Sequence, residues 1–143
     1  MKELQFETGL ETYKVNDSCE IRFNPCDISF VKKLFDLFDD LSKEQETKEK
    51  QVSENIDPKE LFELTEQWDT EIRAKIDGLF GEGVCAALFP NICVYAIAGG
   101  FPLWANFIMA IIDEIDTNLV KEEQQGRDRI DKYMKKYKKY MKK

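Results

Sequence analysis

The feature that most constrains this fold is an apolar helix predicted over residues 99–120, within a stretch that carries no charged residue from position 83 to 112. We expect it to open after a pair of glycines with Pro102 in its first turn, where the missing N–H and the fixed φ suit a helix. Apolar residues recur at helical spacing in two neighbouring rows. They are Leu103, Phe107, Ile111 and Ile115 in one row, and Trp104, Ile108, Ile112 and Leu119 in the other. We expect the rest of the protein to cover both sides of this helix, with Trp104 in the core.

The same uncharged stretch is long enough to cross a bilayer. Pro90, the glycine pair at 99–100, Pro102 and Asn106 divide it into short pieces, however, and a broken helix leaves backbone groups that lipid cannot satisfy. The sequence therefore favours a covered core helix over a membrane span. Because Met1 is followed by the charged, alternating residues 2–7, we predict no secretory leader, no membrane partner and a cytoplasmic location.

Length and composition predict one domain over residues 1–143, without an active site. The chain is large enough for a single hydrophobic core. It has no histidine, which removes the commonest general base and metal ligand and excludes a histidine-activated nucleophile. The four cysteines, at positions 19, 26, 85 and 93, lack zinc-site spacing and suit reduced thiols. We expect no enzyme, no cofactor and no metal.

The N-terminal part of the chain, residues 4–24, predicts a β-hairpin. Residues alternate in polarity over 12–15 and 19–23, and the loop at 16–18 is built from Asn, Asp and Ser, which tolerate turn conformations. Residues 4–6 are a candidate third strand. Because a lone hairpin is marginal in water, we expect this one to lie on the helices.

Residues 27–125 predict a helical core. Asp27 is the expected cap of a first amphipathic helix, and the charge-dense segment 42–55 is either its solvated extension or a connection. Asp57, Pro58 and Glu60 form a capping-box sequence for a second helix, which we expect to stop at Gly81. A short helix is expected over 84–89, while 92–98 fits either helix or strand. The predicted fold class is mainly α: a small helical domain with an N-terminal β-hairpin and a long C-terminal helix.

The last segment, residues 126–143, is predicted to be a basic amphipathic tail. From position 127 on its net charge is +7, whereas the rest of the chain carries −14. The candidate partner-binding residues are Tyr133, Lys136, Tyr137, Lys139 and Tyr140. Aromatic rings beside cations favour a protein interface. An anionic membrane, the protein's own acidic body or a solvated helix end are the alternatives; general nucleic-acid binding is disfavoured because the acidic body would repel the polymer.

Four motifs together resemble a family of short prophage proteins encoded among phage tail genes. They are Phe23-Asn-Pro-Cys-Asp27, Leu79-Phe-Gly-Glu-Gly83 with Cys85, Ala98-Gly-Gly-Phe-Pro-Leu-Trp-Ala-Asn-Phe107 and Ala110-Ile-Ile-Asp-Glu-Ile-Asp116. The family's members look like tail assembly chaperones, and the resemblance runs from about Tyr13 to Tyr137. It implies a non-enzymatic, mostly helical protein of the host cell cytoplasm. Its implied partners are the tape measure protein and the tail tube subunit.

Two other function classes are left open by the residues. One is a structural tail or connector subunit that stays in the virion, and the other is a phage-encoded inhibitor of a host protein, for which a small acidic protein is suited. Self-association of the chain is left open as well. In each case the predicted activity is binding to protein.

Overall fold

The structure is a computed structural model that describes residues 1–52 and 55–141, with the backbone alone at positions 128, 140 and 141. It is mainly helical, with an N-terminal antiparallel hairpin and a long C-terminal helix, which confirms the predicted fold class. The elements in order are β1 (Glu11–Val15), β2 (Cys19–Phe23), α1 (Ile28–Gln51), α2 (Pro58–Phe80), α3 (Val84–Leu88), β3 (Ile97–Ala98), β4 (Phe101–Pro102) and α4 (Leu103–Met141).

The hairpin pairs β1 with β2 in the predicted position, with Tyr13 opposite Ile21. Asn16 and Asp17 adopt positive φ in the loop, a conformation that their short polar side chains tolerate. One face of the hairpin is apolar and lies on the helices. There the rings of Tyr13, Phe23 and Phe30 form a stack with centroids 4.7 and 4.8 Å apart.

The prediction of a third strand at residues 4–6 is wrong. Gly9, which lies between these residues and β1, has a φ of 73° and interrupts the extended backbone there. The side-chain amide of Asn24 holds this bend by donating a hydrogen bond to the carbonyl of Thr8 at 2.9 Å. Residues 1–10 therefore form an N-terminal arm outside any strand, with Leu4 and Phe6 exposed.

Both predicted helix caps are confirmed. The Asp27 carboxylate accepts a hydrogen bond from the N–H of Ser29 at 3.0 Å, which satisfies an amide group at the start of α1. The Asp57 carboxylate does the same for Lys59 at 3.2 Å, and Pro58 is the first residue of α2. At the other end of α2, the Gly81 N–H donates to the carbonyl of Asp77, so the helix ends where the sequence predicted.

The charged segment that begins at residue 42 is an extension of α1 rather than a connection, because α1 continues to Gln51. Oppositely charged side chains one turn apart stabilise its surface, including Lys43 with Asp39 at 2.8 Å and Lys50 with Glu46 at 3.4 Å. Positions 53 and 54 of that segment lie outside the described residues.

The first half of α4 lies in the centre of the core, as its apolar surface predicted. Trp104 is 2% exposed, and Ile108 and Ile115 are buried completely or nearly so. α1 covers one side of α4 through contacts such as that between the rings of Phe38 and Trp104, whose centroids are 6.0 Å apart. The hairpin and α3 cover other sides. The core residues contributed by the other helices are Leu34, Leu41, Ile72, Ile76, Val84 and Cys85.

The start of α4 corrects the prediction that Pro102 lies in its first turn. Pro102 belongs to β4, which pairs with β3 across a tight turn at Gly99 and Gly100, both with positive φ. The helix begins one residue later, at Leu103. Its first amide groups donate to backbone carbonyls rather than to a capping side chain: Leu103 N–H to Ala96 at 2.9 Å and Trp104 N–H to Val94 at 3.1 Å.

The uncharged stretch 83–112 is thus divided among α3, the short hairpin and the first turns of α4. Among residues 1–52 and 55–141, no helix combines the length and the apolar character that crossing a bilayer requires.

Candidate protein-binding surface on α4

The second half of α4 leaves the body of the protein. From Leu119 to Lys139 the described side chains are exposed, and only Gly126 is intermediate. We call residues 119–141 the α4 tail. Its helix is continuous with the buried part of α4, and its exposed surface begins before position 126, where the sequence placed the boundary. Positions 142 and 143 lie outside the described residues.

An apolar stripe follows one face of the α4 tail. It consists of Ile130, Tyr133, Met134 and Tyr137, which are between 49% and 64% exposed. Their spacing of three and four residues places them on adjacent turns of one helix face. Such a face is ordinarily buried against another element, and a contiguous exposed apolar surface typically marks a site of interaction.

Cations flank this stripe at Tyr133. The Arg129 guanidinium carbon lies 5.9 Å from the centroid of the Tyr133 ring, and the Lys136 ammonium nitrogen lies 5.0 Å from it. Both distances are within the range of a cation–π contact. The α4 tail therefore carries an aromatic ring with two positive charges held beside it.

The structure brings together some of the predicted site residues. Tyr133 and Tyr137 lie one turn apart on the stripe, and Lys136 contacts the Tyr133 ring. Lys139 is exposed, but it follows Tyr137 by two residues and so points to the far side of the helix. The side chain of Tyr140 lies outside the described residues. A binding role for all five stays a prediction.

Arg129 was missed as a member of this surface. The signal available in the sequence was its spacing of four residues from Tyr133, which places the two side chains on neighbouring turns. The predicted binding residues included lysines and tyrosines only, so Arg129 was left out.

The Cys26 thiol, next to the start of α1, is affected by charges of both β1 and the α4 tail. Burial raises the pKa of the Cys26 thiol, and the negative charges of Glu122 and Glu11 raise it further. Glu11 is the first residue of β1 and Glu122 lies in the α4 tail.

A groove of about 830 Å³ lies between α2 and the segment that follows α3. Its apolar lining includes Leu61, Phe62 and Ile92, and its polar wall includes Asp69 and Arg73. The Asp69 carboxylate accepts from Arg73 Nε at 2.8 Å and from the Val94 N–H at 2.8 Å. The polar wall is thus already engaged in contacts within the protein.

Arg73 fastens the segment after α3 to α2. Its guanidinium donates to the carbonyls of Cys85 at 3.3 Å, Phe89 at 2.9 Å and Ile92. One turn further, the Asp77 carboxylate accepts from the N–H groups of Cys85 and Gly83 at the start of α3. With its donors committed to backbone carbonyls, Arg73 has a structural role. The sequence signal was the four-residue spacing of positions 69, 73 and 77.

The Cys85 thiol and the carboxylates at positions 113, 114 and 116 occupy different environments within the described residues. Burial, followed by the Asp77 carboxylate, raises the pKa of the Cys85 thiol to about 12, so it is not an activated nucleophile. Asp113 and Asp116 are exposed, and Glu114 accepts a hydrogen bond from Asn118 at 2.8 Å. No cluster of three or more Cys, Asp and Glu among the described residues could hold a metal ion.

Comparisons of the chain with protein-family models, with curated proteins and with solved structures found no match. In the described residues, the α4 tail combines exposed apolar side chains, adjacent cations and a regular backbone.

Proposed function

We propose that this chain is a non-enzymatic protein-binding protein and that the α4 tail is its binding surface. The observation that carries the proposal is the apolar stripe at Ile130, Tyr133, Met134 and Tyr137, exposed on a helix that is anchored in the core by its first half. Apolar residues spaced in this way are how amphipathic helices are recognised by protein partners.

The anchoring of α4 favours binding because it reduces the entropy cost. Residues 103–118 are packed in the body, so the helix that continues from them is already nucleated. A partner that docks on the stripe then has little backbone left to order. Preorganisation of this kind raises affinity without adding contacts.

The distribution of charge favours a protein partner over a nucleic acid. The segment from position 127 on has a net charge of +7, but it is attached to a body of net −14, which repels a polyanion. A partner with a local acidic surface would be attracted to the tail, and screening by salt would weaken that attraction.

At the finer level, we propose that the protein acts as a phage tail assembly chaperone in the host cytoplasm, with the tape measure protein and the tail tube subunit as partners. The resemblance of the four motifs at residues 23–27, 79–85, 98–107 and 110–116 supports this proposal. A helical protein with a displayed binding helix is compatible with it. Mass spectrometry of purified particles tests it, because a chaperone is absent from the virion whereas a structural subunit is present in many copies.

The binding surface is tested by truncation after Gln125. We expect the melting temperature to change by no more than about 2 °C, because the removed side chains make no part of the core cluster. Pull-down of the tape measure protein or the tail tube subunit should be lost. Full-length Tyr133→Ala/Tyr137→Ala should lose it as well, while Phe62→Ala, which removes an exposed aromatic side chain from α2, should retain it.

Two results would contradict the proposal. A truncated chain that unfolds would show that the tail is part of the fold. A truncated chain that folds and still captures its partner fully at low salt would show that the binding surface lies elsewhere.

A further inference from the structure

The α4 tail carries a seven-residue repeat in both its apolar and its basic side chains. Ile130 and Tyr137 are seven residues apart, and Tyr133 lies between them, as at the a and d positions of a coiled coil. Arg129 and Lys136 are also seven apart, and each directly precedes an a residue. That position, g, is where a coiled-coil helix pairs its charges with those of its partner.

The charge at these positions restricts what can lie on the stripe. Two α4 tails placed side by side would bring their basic flanks together, and like charges oppose such pairing. The protein's own acidic body does not cover the stripe, because the side chains from 129 to 139 are exposed on a helix that continues from residues packed in that body. The occupant must therefore come from another molecule and must be acidic.

We infer that the α4 tail docks an acidic amphipathic α-helix of its partner protein, with apolar residues against the stripe and carboxylates against Arg129 and Lys136. This inference rests on the proposed function and adds the chemistry of the partner. Arg129 and Lys136 already lie beside the Tyr133 ring, at 5.9 and 5.0 Å from its centroid, so an arriving carboxylate meets two cations that are held in place. Arginine can also bind a carboxylate through two parallel hydrogen bonds.

The test uses the full-length protein and a fluorescent helical peptide of three heptads with Leu at a and d and Glu at e and g. The glutamates keep the peptide from pairing with itself. A matched peptide with Lys at e and g is the control. We expect the Glu peptide to raise the fluorescence anisotropy in a saturable, salt-sensitive manner, and the Lys peptide to bind at least about tenfold more weakly.

Charge reversal in the protein provides the decisive comparison. Arg129→Glu/Lys136→Glu should weaken the binding of the Glu peptide by about tenfold or more and strengthen the binding of the Lys peptide. Lys121→Glu/Lys135→Glu changes the net charge equally on the opposite side of the same helix, where both lysines are exposed and lie at heptad position f. That variant should bind the Glu peptide nearly as the wild type does. Circular dichroism checks that each variant keeps its helix content.

Several outcomes would overturn the inference. Equal binding of the two peptides, or equal losses in the two charge-reversal variants, would show that the stripe has no charge preference or that net charge alone acts. Sedimentation that reveals a dimer lost on truncation after Gln125 would assign the stripe to a second copy of the chain. If the peptides fail while the cognate partner still binds through the tail, the inference fails alone. If truncation leaves partner binding intact, the proposed function fails.

Discussion

Replacing Trp104 tests the packing on which the display of α4 depends. The indole is 2% exposed and lies in the second position of α4, against α1. Its ring centroid is 6.0 Å from that of Phe38, and its Nε1–H donates to the side-chain carbonyl of Gln45 at 2.9 Å. Trp104→Ala removes both the apolar contact and the hydrogen bond.

The cost follows from the burial of the side chain. Truncation of a fully buried large aromatic residue lowers the free energy of unfolding by about 3–5 kcal/mol, through lost transfer energy and the cavity that remains. Trp104→Phe keeps a ring in the core but removes the N–H, so Gln45 loses its partner and the cost should be smaller, about 1–2 kcal/mol. The expected order of stability is therefore wild type, then the Phe variant, then the Ala variant.

Urea denaturation followed by circular dichroism measures these differences. With a slope of about 2 kcal/mol per molar urea, the Ala variant should lose about 1.5–2.5 M in its midpoint. Phe62→Ala is the control, because Phe62 is an aromatic helix residue that is 69% exposed, and it should stay within about 0.5 kcal/mol of wild type. An unchanged midpoint for Trp104→Ala, together with lost partner binding, would show that Trp104 is a surface anchor and that the packing argument is wrong.

Arg73→Ala should lower the free energy of unfolding by about 2–3 kcal/mol in calorimetry, because three backbone carbonyls and Asp69 lose their donor. Arg73→Lys should recover only part of this free energy, since one ammonium group cannot make all the hydrogen bonds of the planar guanidinium. Full recovery by lysine would contradict the role given to Arg73. The pKa of the Cys85 thiol is raised from an ordinary value of 9.0 to about 12, so the folded state favours the neutral thiol. The preference of the folded state for the neutral thiol stabilises the protein fully below about pH 9, and this stabilisation declines as the pH rises toward 12. The urea midpoint should therefore fall more steeply above pH 9 in the wild type than in Cys85→Ala. Parallel plots of midpoint against pH for the two proteins would refute this prediction.

Local chemistry explains what the sequence could predict. The caps at Asp27 and Asp57 and the stop at Gly81 depend on residues within a few positions of one another. The hairpin followed from alternation over two short segments joined by turn-forming residues. The burial of Trp104 followed from an α4 surface too apolar to face water on either side.

The predictions that failed depended on contacts distant in sequence. The start of α4 is decided by carbonyls of Val94 and Ala96 that accept from its first amide groups, so no capping residue marks it. The fate of residues 4–6 is decided by Asn24, sixteen positions from the carbonyl it binds. The role of Arg73 becomes visible only when α3 and its following segment are placed beside α2.

The boundary between the fold and the proposed binding surface lies inside a single helix, so no helix end marks it. The apolar rows of the core end at Leu119, which is already 40% exposed, and the stripe begins at Ile130, after the polar residues 121–129. Helices in proteins owe most of their stability to the packing of an apolar face, which the exposed α4 tail lacks, and Gly126 weakens it by about 1 kcal/mol relative to alanine. Its helical state therefore depends on continuation from the packed half of α4. A partner helix on the stripe would add the tertiary contacts that residues 119–141 lack, so that folding and binding are coupled through α4.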